Sequence, residues 1–236
     1  MRRLSMNRKE KVMYSIAIDR PSGSGKSTIA KLVAKETGYL YVDTGAIYRT
    51  VGLFAKKNGI DPKDEKTLSE NLCKVDIKLK WVDGVQHIFL SDEDVSEDIR
   101  TPEMSMYASA VSALGAVRAF LLEMQRDFAR KNNVIMDGRD IGTVVLPNAD
   151  VKIFMFASAE SRAKRRYKEL LEKGKEVTYE DVYNDMVQRD KNDSERTLAP
   201  CVPAEDAVML DNSLMTVEEN VRKVVEIINE KITEAV

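Results

Sequence analysis

Five short apolar runs punctuate the chain: MYSIAID (13–19), YLYVD (39–43), VIMD (134–137), VKIFMFA (151–157) and AVMLD (207–211). Each has the length of a buried strand, and helical material separates each from the next. After the first run, KSTIAKLVAKETG spaces Ile29, Leu32 and Val33 at helical intervals before Gly38. A second helical stretch follows YLYVD and runs to about residue 58. Strands and helices that alternate in this way predict a five-stranded parallel sheet covered on both faces. One segment breaks the alternation. Between 75 and 90, VDIKLKW and VQHIFL alternate with period two on either side of Asp83-Gly84, which predicts a small antiparallel hairpin insertion. PEMSMYASAVSALGAVRAFLLEMQRDFARK (102–131) predicts one or two long helices that feed the strand at 134. Near the end, Thr216 and Glu219 are spaced as a capping box, and Val217, Val221, Val224, Ile228 and Ile232 share one helical face.

Composition narrows the class. With 236 residues the chain can bury one sizeable core, and 43% apolar with 32% charged residues is the balance of a globular protein. Its 37 basic and 39 acidic residues nearly cancel, so no global field attracts nucleic acid. Cys73 and Cys201 are too few and too far apart for a disulfide framework or a zinc site; both are expected as reduced thiols, Cys73 in the core. The basic start MRRLSMNRKEK is not followed by the apolar segment of a signal peptide, and no run approaches the roughly 18 apolar residues of a membrane span, so a cytoplasmic location without a membrane partner is expected.

The candidate chemistry begins at DRPSGSGKST (19–28), between the first strand and the first helix. It matches the phosphate-loop pattern G-x-x-x-x-G-K-[ST] except that Arg20 stands at the first glycine. Such a loop cradles phosphate with successive backbone N–H groups and the N-terminus of the following helix. Gly23 and Gly25 let the backbone approach, Lys26 reaches the β- and γ-phosphates, and the Ser27 hydroxyl suits Mg²⁺. Arg20, Pro21, Ser22, Ser24 and Thr28 complete the expected ATP-binding segment. Pro21 pushes the residue before it towards extended backbone, which arginine tolerates. The guanidinium then has three courses: to swing to solvent, to lie along the donor phosphates, or to crowd the site.

A phosphate loop alone does not name the acceptor. YVDTGAIYR (41–49), EDVSEDIRTPEM (93–104), DGRDIGTVVLPNADVKIF (137–154) and QRDKNDSERTLAPCVPAEDAVMLDNS (188–213) together resemble bacterial cytidylate kinase, the CMP/dCMP member of the nucleoside monophosphate kinases. The likeness is collinear from about residue 13 to the last helix. It implies an α/β P-loop nucleoside monophosphate kinase fold: a five-stranded parallel sheet flanked by helices, with a small antiparallel β insertion and a helical lid. In that reading 1–236 is a single domain, with a core at about 12–72, 106–157 and 197–236, a monophosphate-binding region at about 73–105 and a lid at about 158–196. The implied reaction moves the γ-phosphoryl group of ATP, with Mg²⁺, to CMP or dCMP in pyrimidine nucleotide metabolism, and the expected assembly is a monomer.

Elementary chemistry agrees with that reaction. An acceptor phosphate with a second pKa near 6 is largely a dianion at neutral pH and needs no general base. The obstacles are alignment and repulsion between anions, so guanidinium groups are the useful side chains. By motif position the resemblance places Thr44, Arg49, Arg139, Arg189, Asp193 and Arg196 at the acceptor phosphate and sugar. It assigns the base to Ser109, Arg118 and Asp140. Cytosine offers an amino donor to a carboxylate and acceptors to a guanidinium, whereas uracil reverses that edge. Asp140 could equally cap or salt-bridge within its own loop.

The helix ESRAKRRYKELLEKGKE carries Arg162, Arg165 and Arg166 on one face and resembles the lid that brings arginines to the transferring phosphoryl group, Arg162 and Arg166 being the expected catalytic pair beside Lys26 and Arg139. Asp137 is a second candidate for holding Mg²⁺, through water. His87, on the hairpin, has no ligand partners in the sequence pattern and is expected to be structural or exposed. Two other readings stand beside this one: another P-loop small-molecule kinase, or a nucleotide-binding protein whose turnover Arg20 impairs. A GTPase lacks its N-K-x-D, for which DKND (190–193) is no substitute.

Overall fold

The computed structural model describes residues 13–21, 26–82, 85–172 and 174–234, apart from the side chains of Lys26 and Ser27. In chain order the elements are β1 (Ser15–Asp19), α1 (Lys26–Thr37), β2 (Leu40–Asp43), α2 (Thr44–Lys57), α3 (Glu65–Asn71), β3 (Ile77–Val82), β4 (Val85–Leu90), β5 (Glu93–Asp94), α4 (Pro102–Val111) and α5 (Gly115–Lys131). There follow β6 (Val134–Gly138), a π-helical turn (Ile141–Val145), β7 (Val151–Phe156), α6 (Ala159–Glu172), α7 (Tyr179–Glu195), β8 (Val208–Asp211) and α8 (Val217–Glu234).

The five expected strands form one parallel sheet in the order β2-β6-β1-β7-β8. Alternation along them explains the two layers of helix. From β1, Ile16 and Ile18 join Ile135, Ile153 and Met155 against Ile29 and Val33 of α1 and Val224 and Ile228 of α8. Ala17, Val42 and Met136 point the other way, against Ile47 and Val51 of α2 and Val117 and Leu121 of α5. Removal of side chains of this size from water contributes about 1.5–3 kcal/mol each, which is why the strands read as uninterrupted apolar runs.

Parallel strands deliver all their C-terminal ends to one edge, where an open α/β sheet places its site. Register brings Asp43 beside Asp137 and Asp19 beside Gly138, so the loops after β1, β2 and β6 leave the sheet side by side. At Gly138 a Cβ would lie 2.5 Å from Ile141 Cδ1 and 2.9 Å from Thr44 Oγ1. Glycine there lets the loop after β6 fold back against α2.

The insertion is a three-stranded antiparallel sheet, β3-β4-β5, paired from Ile77↔Leu90 to Val82↔Val85; its Asp83-Gly84 turn lies outside the described residues. Ile77, Ile88 and Leu90 enter the same core as Leu53 and Phe54. Two bonds fasten it to β2: Trp81 Nε1 donates to the Tyr41 carbonyl (3.1 Å), and Gln86 Oε1 accepts from the Asp43 amide (2.9 Å).

The expected stretch 102–131 is two helices that meet at 100°. Thr101 caps α4 with Pro102 at its start, and extended backbone at Leu114 separates it from α5. Among the described residues no single helix is long and apolar enough to cross a membrane. The capping box of α8 is present, Thr216 N to Glu219 Oε2 at 2.8 Å and Glu219 N to Thr216 Oγ1 at 3.2 Å. Val217, however, is exposed, and Ile227 joins the buried face.

Cys73 is exposed, contrary to expectation, since it lies in a short 3₁₀ turn whose buried residue is Leu72. Cys201 is the buried thiol, and burial pushes its pKa up to about 12. Thiolate is the reactive form, so a native chain at pH 8 should take one iodoacetamide adduct, at Cys73, and two once unfolded. Mass spectrometry reads the difference; equal labelling of both thiols in the native chain would contradict the burial of Cys201.

Candidate active site

Among the described non-glycine residues only Ser91 and Ala199 have positive φ, so Arg20 occupies no conformation reserved for glycine. Its side chain takes a course different from solvent: it is fully buried and turns to the end of β6. Nε donates to Asp137 Oδ1 (3.1 Å) and Nη2 to Oδ2 (2.6 Å), and the Tyr41 hydroxyl donates to the same Oδ2 (3.2 Å). Asp137, the second candidate for holding Mg²⁺ through water, thus has both carboxylate oxygens engaged by the guanidinium and the phenol. Among the described residues no cluster of three acidic, His or Cys side chains could hold a metal. Ser22, Gly23, Ser24 and Gly25 lie outside the described residues, as do the side chains of Lys26 and Ser27; Thr28 is exposed in the first turn of α1, and Pro21 is half-buried.

Beside this lies a cleft. The loop after β2 and the first turns of α2 supply Asp43, Thr44, Tyr48 and Arg49; the α4–α5 corner supplies Ser109, Ser112 and Arg118. The end of β6 and the loop after it supply Asp137, Arg139 and Asp140, and the end of α7 with its exit supplies Arg189, Asp193 and Arg196. All nine residues expected at the acceptor thus meet in one cleft, from segments up to 152 positions apart, Thr44 to Arg196. No described residue of 73–105 lines it; the outer wall is the α4–α5 corner.

Each side chain has a structural reason for its place. Asp43 caps α2 by accepting from Ala46 N (2.9 Å) and pairs with Arg49 one turn later (3.1 Å). Thr44 donates its hydroxyl to the Asp137 carbonyl (2.8 Å). Arg139 pairs with Asp193 (3.0 Å). Asp140 sits at the head of the π-helical turn but makes no side-chain cap there. Instead it pairs with Arg118 and, at 3.4 Å, with Arg196. Arg118 is further held by the Ser112 carbonyl (3.1 Å) and lies 5.8 Å from the Tyr48 ring centroid.

Five arginines and four aspartates line the cleft, and Arg20 occupies one of those aspartates from outside. Two positive charges are left in excess. Arg189 carries most of the imbalance, with burial first and then the neighbouring Arg139 pushing its pKa down to about 10. The Nε groups of Arg49 and Arg189 are both buried without an acceptor. Buried donors in native proteins are rarely left unmet, so these two mark where an anion belongs. Burial raises the pKa of Asp140, while the Arg139 charge holds Asp193 low against its own burial.

The helices α6 and α7 pack through Tyr167 and Tyr179 (6.1 Å between centroids). Arg162 is buried, with Nη1 on Asp190 (2.5 Å) and Nε on the Ala157 carbonyl (3.0 Å), and Arg166 pairs with Glu169 (2.9 Å). Neither lines the cleft. Arg165 between them keeps a buried Nη2 without an acceptor. His87 is part-exposed and bonded to Asp94 (2.9 Å), a structural contact.

Several residues in or behind the site were missed in the sequence, Ser112 among them, and three others bear directly on its chemistry. Tyr48 and Asp43 lie inside YVDTGAIYR, and the helical spacing of Thr44 and Tyr48 was the available signal. Asp19 is the third: it is buried, and it accepts from Ile141 N and Gly142 N, both at 2.7 Å. Burial, opposed by those bonds and reinforced by Asp140 and Asp137, pushes its pKa up to about 7. A carboxylate ending an otherwise apolar strand was its only mark.

A doubly covered parallel sheet with a strand-loop-helix phosphate segment and an arginine-lined acceptor cleft defines a nucleotide-dependent phosphotransferase. Within that class the chain belongs to the cytidylate kinase family, whose model, described as "Cytidylate kinase", matches residues 16–230. It is 53% identical to a cytidylate kinase from Caldicellulosiruptor bescii over 213 residues, 90% of this chain and 94% of that one. It is 49% identical to one from Carboxydothermus hydrogenoformans over 216 residues, 92% of this chain and 97% of that one. Another, from Lactobacillus johnsonii, is 47% identical over 219 residues, 93% of this chain and 95% of that one.

Proposed function

We infer that this chain transfers the γ-phosphoryl group of ATP to CMP or dCMP, giving ADP and CDP or dCDP. The observation that carries this reading is the pair of unmet guanidinium donors, Arg49 and Arg189, in a cleft two positive charges in excess. A nucleoside monophosphate brings two negative charges and several acceptor oxygens to that place. Its phosphate is already the nucleophile, so the work of the site is to neutralise and align. Arg49, Arg139 and Arg189 hold it, Thr44 and Arg196 flank it, and Asp193 accepts from the sugar hydroxyls. ATP lies on the phosphate loop, 20–28, with Lys26 at its β- and γ-phosphates. Mg²⁺ would arrive with ATP and find the Ser27 hydroxyl, supplying charge at the phosphates.

Recognition of cytosine follows from Arg118 and Asp140. The exocyclic amino group donates to Asp140 Oδ1, whose present contact with Arg196 is long, at 3.4 Å, and easily exchanged. Arg118 donates to the ring nitrogen and carbonyl, and Ser109 lies on the same wall. Uracil would set a carbonyl against the carboxylate and leave both unpaired. The segment 158–196 acts as the lid: Arg162 and Arg166 reach the transferring group when α6 and α7 swing over the nucleotides, and 73–105, whose described residues stand outside the cleft, would serve the monophosphate only by closing toward it. Acting on free nucleotides, the chain is expected as a cytoplasmic monomer without nucleic-acid or membrane partners.

Initial rates with CMP, dCMP, UMP and AMP at fixed ATP test the reading. CMP and dCMP should exceed UMP by about 100-fold or more in kcat/KM, the scale of a mispaired buried polar edge. A preference for AMP over CMP would overturn it.

A further inference from the structure

Two consecutive residues at the exit of β1 send their side chains into one loop. Asp19 accepts from the amides of Ile141 and Gly142, the first two of the π-helical turn. Those amides would ordinarily be met by the residue before the turn, yet Asp140 makes no capping bond. The cap comes from the neighbouring strand, and that leaves the Asp140 carboxylate to face the cleft. Arg20 fixes Asp137 from the other side with two bonds, helped by Tyr41. Asp19, Arg20 and Asp137 are all buried, so water does not compete for these bonds. Packing behind the turn is close as well, since a Cβ on Gly142 would meet Asp19 Oδ2 at 3.4 Å and Lys152 Cδ at 3.2 Å. The held residues, 137 and 141–142, bracket Arg139 and Asp140, which the proposed function puts at the phosphate and the base.

We propose that Asp19 and Arg20 are positioning residues that couple the donor loop to the acceptor-reading loop, so that nucleotide on one side tightens the hold on nucleotide at the other. The inference rests on the reading of this cleft as the CMP site. In sequence the phosphate-loop motif follows directly on Asp19 and Arg20, so a shift of these two residues on ATP binding would be felt at both clamps. Glycine, which the loop pattern expects at this position, has no side chain to make the second clamp, so that half of the coupling belongs to this chain's own arginine. Linkage makes the effect reciprocal, CMP tightening the donor by the same factor.

Calorimetric titration of the full chain with CMP, alone and with saturating non-hydrolysable ATP analogue and Mg²⁺, gives that factor as a ratio of two Kd values. In the native chain the analogue should tighten CMP binding by about 10-fold, and in Asp19→Asn the factor should fall to about 2-fold or less. Arg20→Gly alone leaves a buried carboxylate unpaired, so the second variant is Arg20→Gly with Asp137→Asn, which should lose the factor to the same degree. A merely structural role would weaken CMP equally with and without the analogue; an unchanged factor in both variants overturns the proposal, as does a native factor of one. CMP that fails to bind the native chain at all removes the functional reading, whereas normal CMP binding with an unchanged factor removes only the coupling.

Discussion

Replacing Arg20 with the glycine that the phosphate-loop pattern expects should lower the stability of the folded chain by about 3–5 kcal/mol, the cost of stripping one partner from a buried ion pair. Asp137 is 5% exposed and would keep only the Tyr41 hydroxyl, at 3.2 Å. The deleted side chain also leaves a void beside β6, because the guanidinium is at 0% exposure. Urea unfolding followed by circular dichroism reads the loss as a lower midpoint at unchanged slope. Adding Asp137→Asn should recover most of it, since a neutral amide is far cheaper to bury than an unpaired carboxylate. An unchanged midpoint would mean that the pair does not hold the fold, and a rise in turnover above about 100-fold, some 2.7 kcal/mol, that the arginine cripples the donor site. The chain has built Arg20 into its core, and the glycine of the loop pattern would break what it now holds.

That pairing also marks the limit of what the sequence discloses. The sheet was legible because strands buried on both faces must be apolar throughout, and the loops between them carry Gly, Pro and Asp at their turns. The acceptor residues were legible through their motifs, and the fold explains why the motifs are scattered: they come from α2, the α4–α5 corner, the end of β6 and the last turns of α7. By contrast Arg20 and Asp137 are 117 positions apart, and nothing local in either segment announces the other. Segments too short to show a period also escaped notice. The helix α3 buries only Leu68, β5 has two residues, and the π-helical turn after DGRD reads as plain loop. Cys73 was misplaced for a related reason, since a small apolar residue beside a buried Leu72 carries no sign of which side of a turn it occupies. For Asp140 the sequence left capping and base recognition both open. Only the tertiary placement of Asp19, supplying the cap from β1, decides against capping.

Arg189→Met should separate activity from stability. Arg189 makes no ion pair among the described residues and its Nε is buried and unmet, although Asp193 and Asp190 lie near enough to offset part of its burial. Its pKa is pushed down to about 10, by burial first and Arg139 second. For a base whose folded pKa is depressed, stability rises with pH only between the folded value, about 10, and the higher unfolded one. At neutral pH the cost of the charge is therefore present in full, and methionine, which matches the stem, removes it. Thermal unfolding should shift upward, by the order of 1 kcal/mol or about 2–4 °C for a chain of this size. The same substitution takes away the donor whose match is the acceptor phosphate, so kcat/KM for CMP should fall by about 10²–10³-fold, or roughly 2.7–4 kcal/mol. Arg189→Lys, which restores a point charge without the paired geometry, should return only part of the activity and little of the destabilisation. A variant that loses stability together with activity would mean that Arg189 serves the fold; one that keeps its activity would place the acceptor phosphate elsewhere. A cation held unpaired in the resting chain is a cost borne for the moment of binding, and its removal should make the protein more stable and less useful at once.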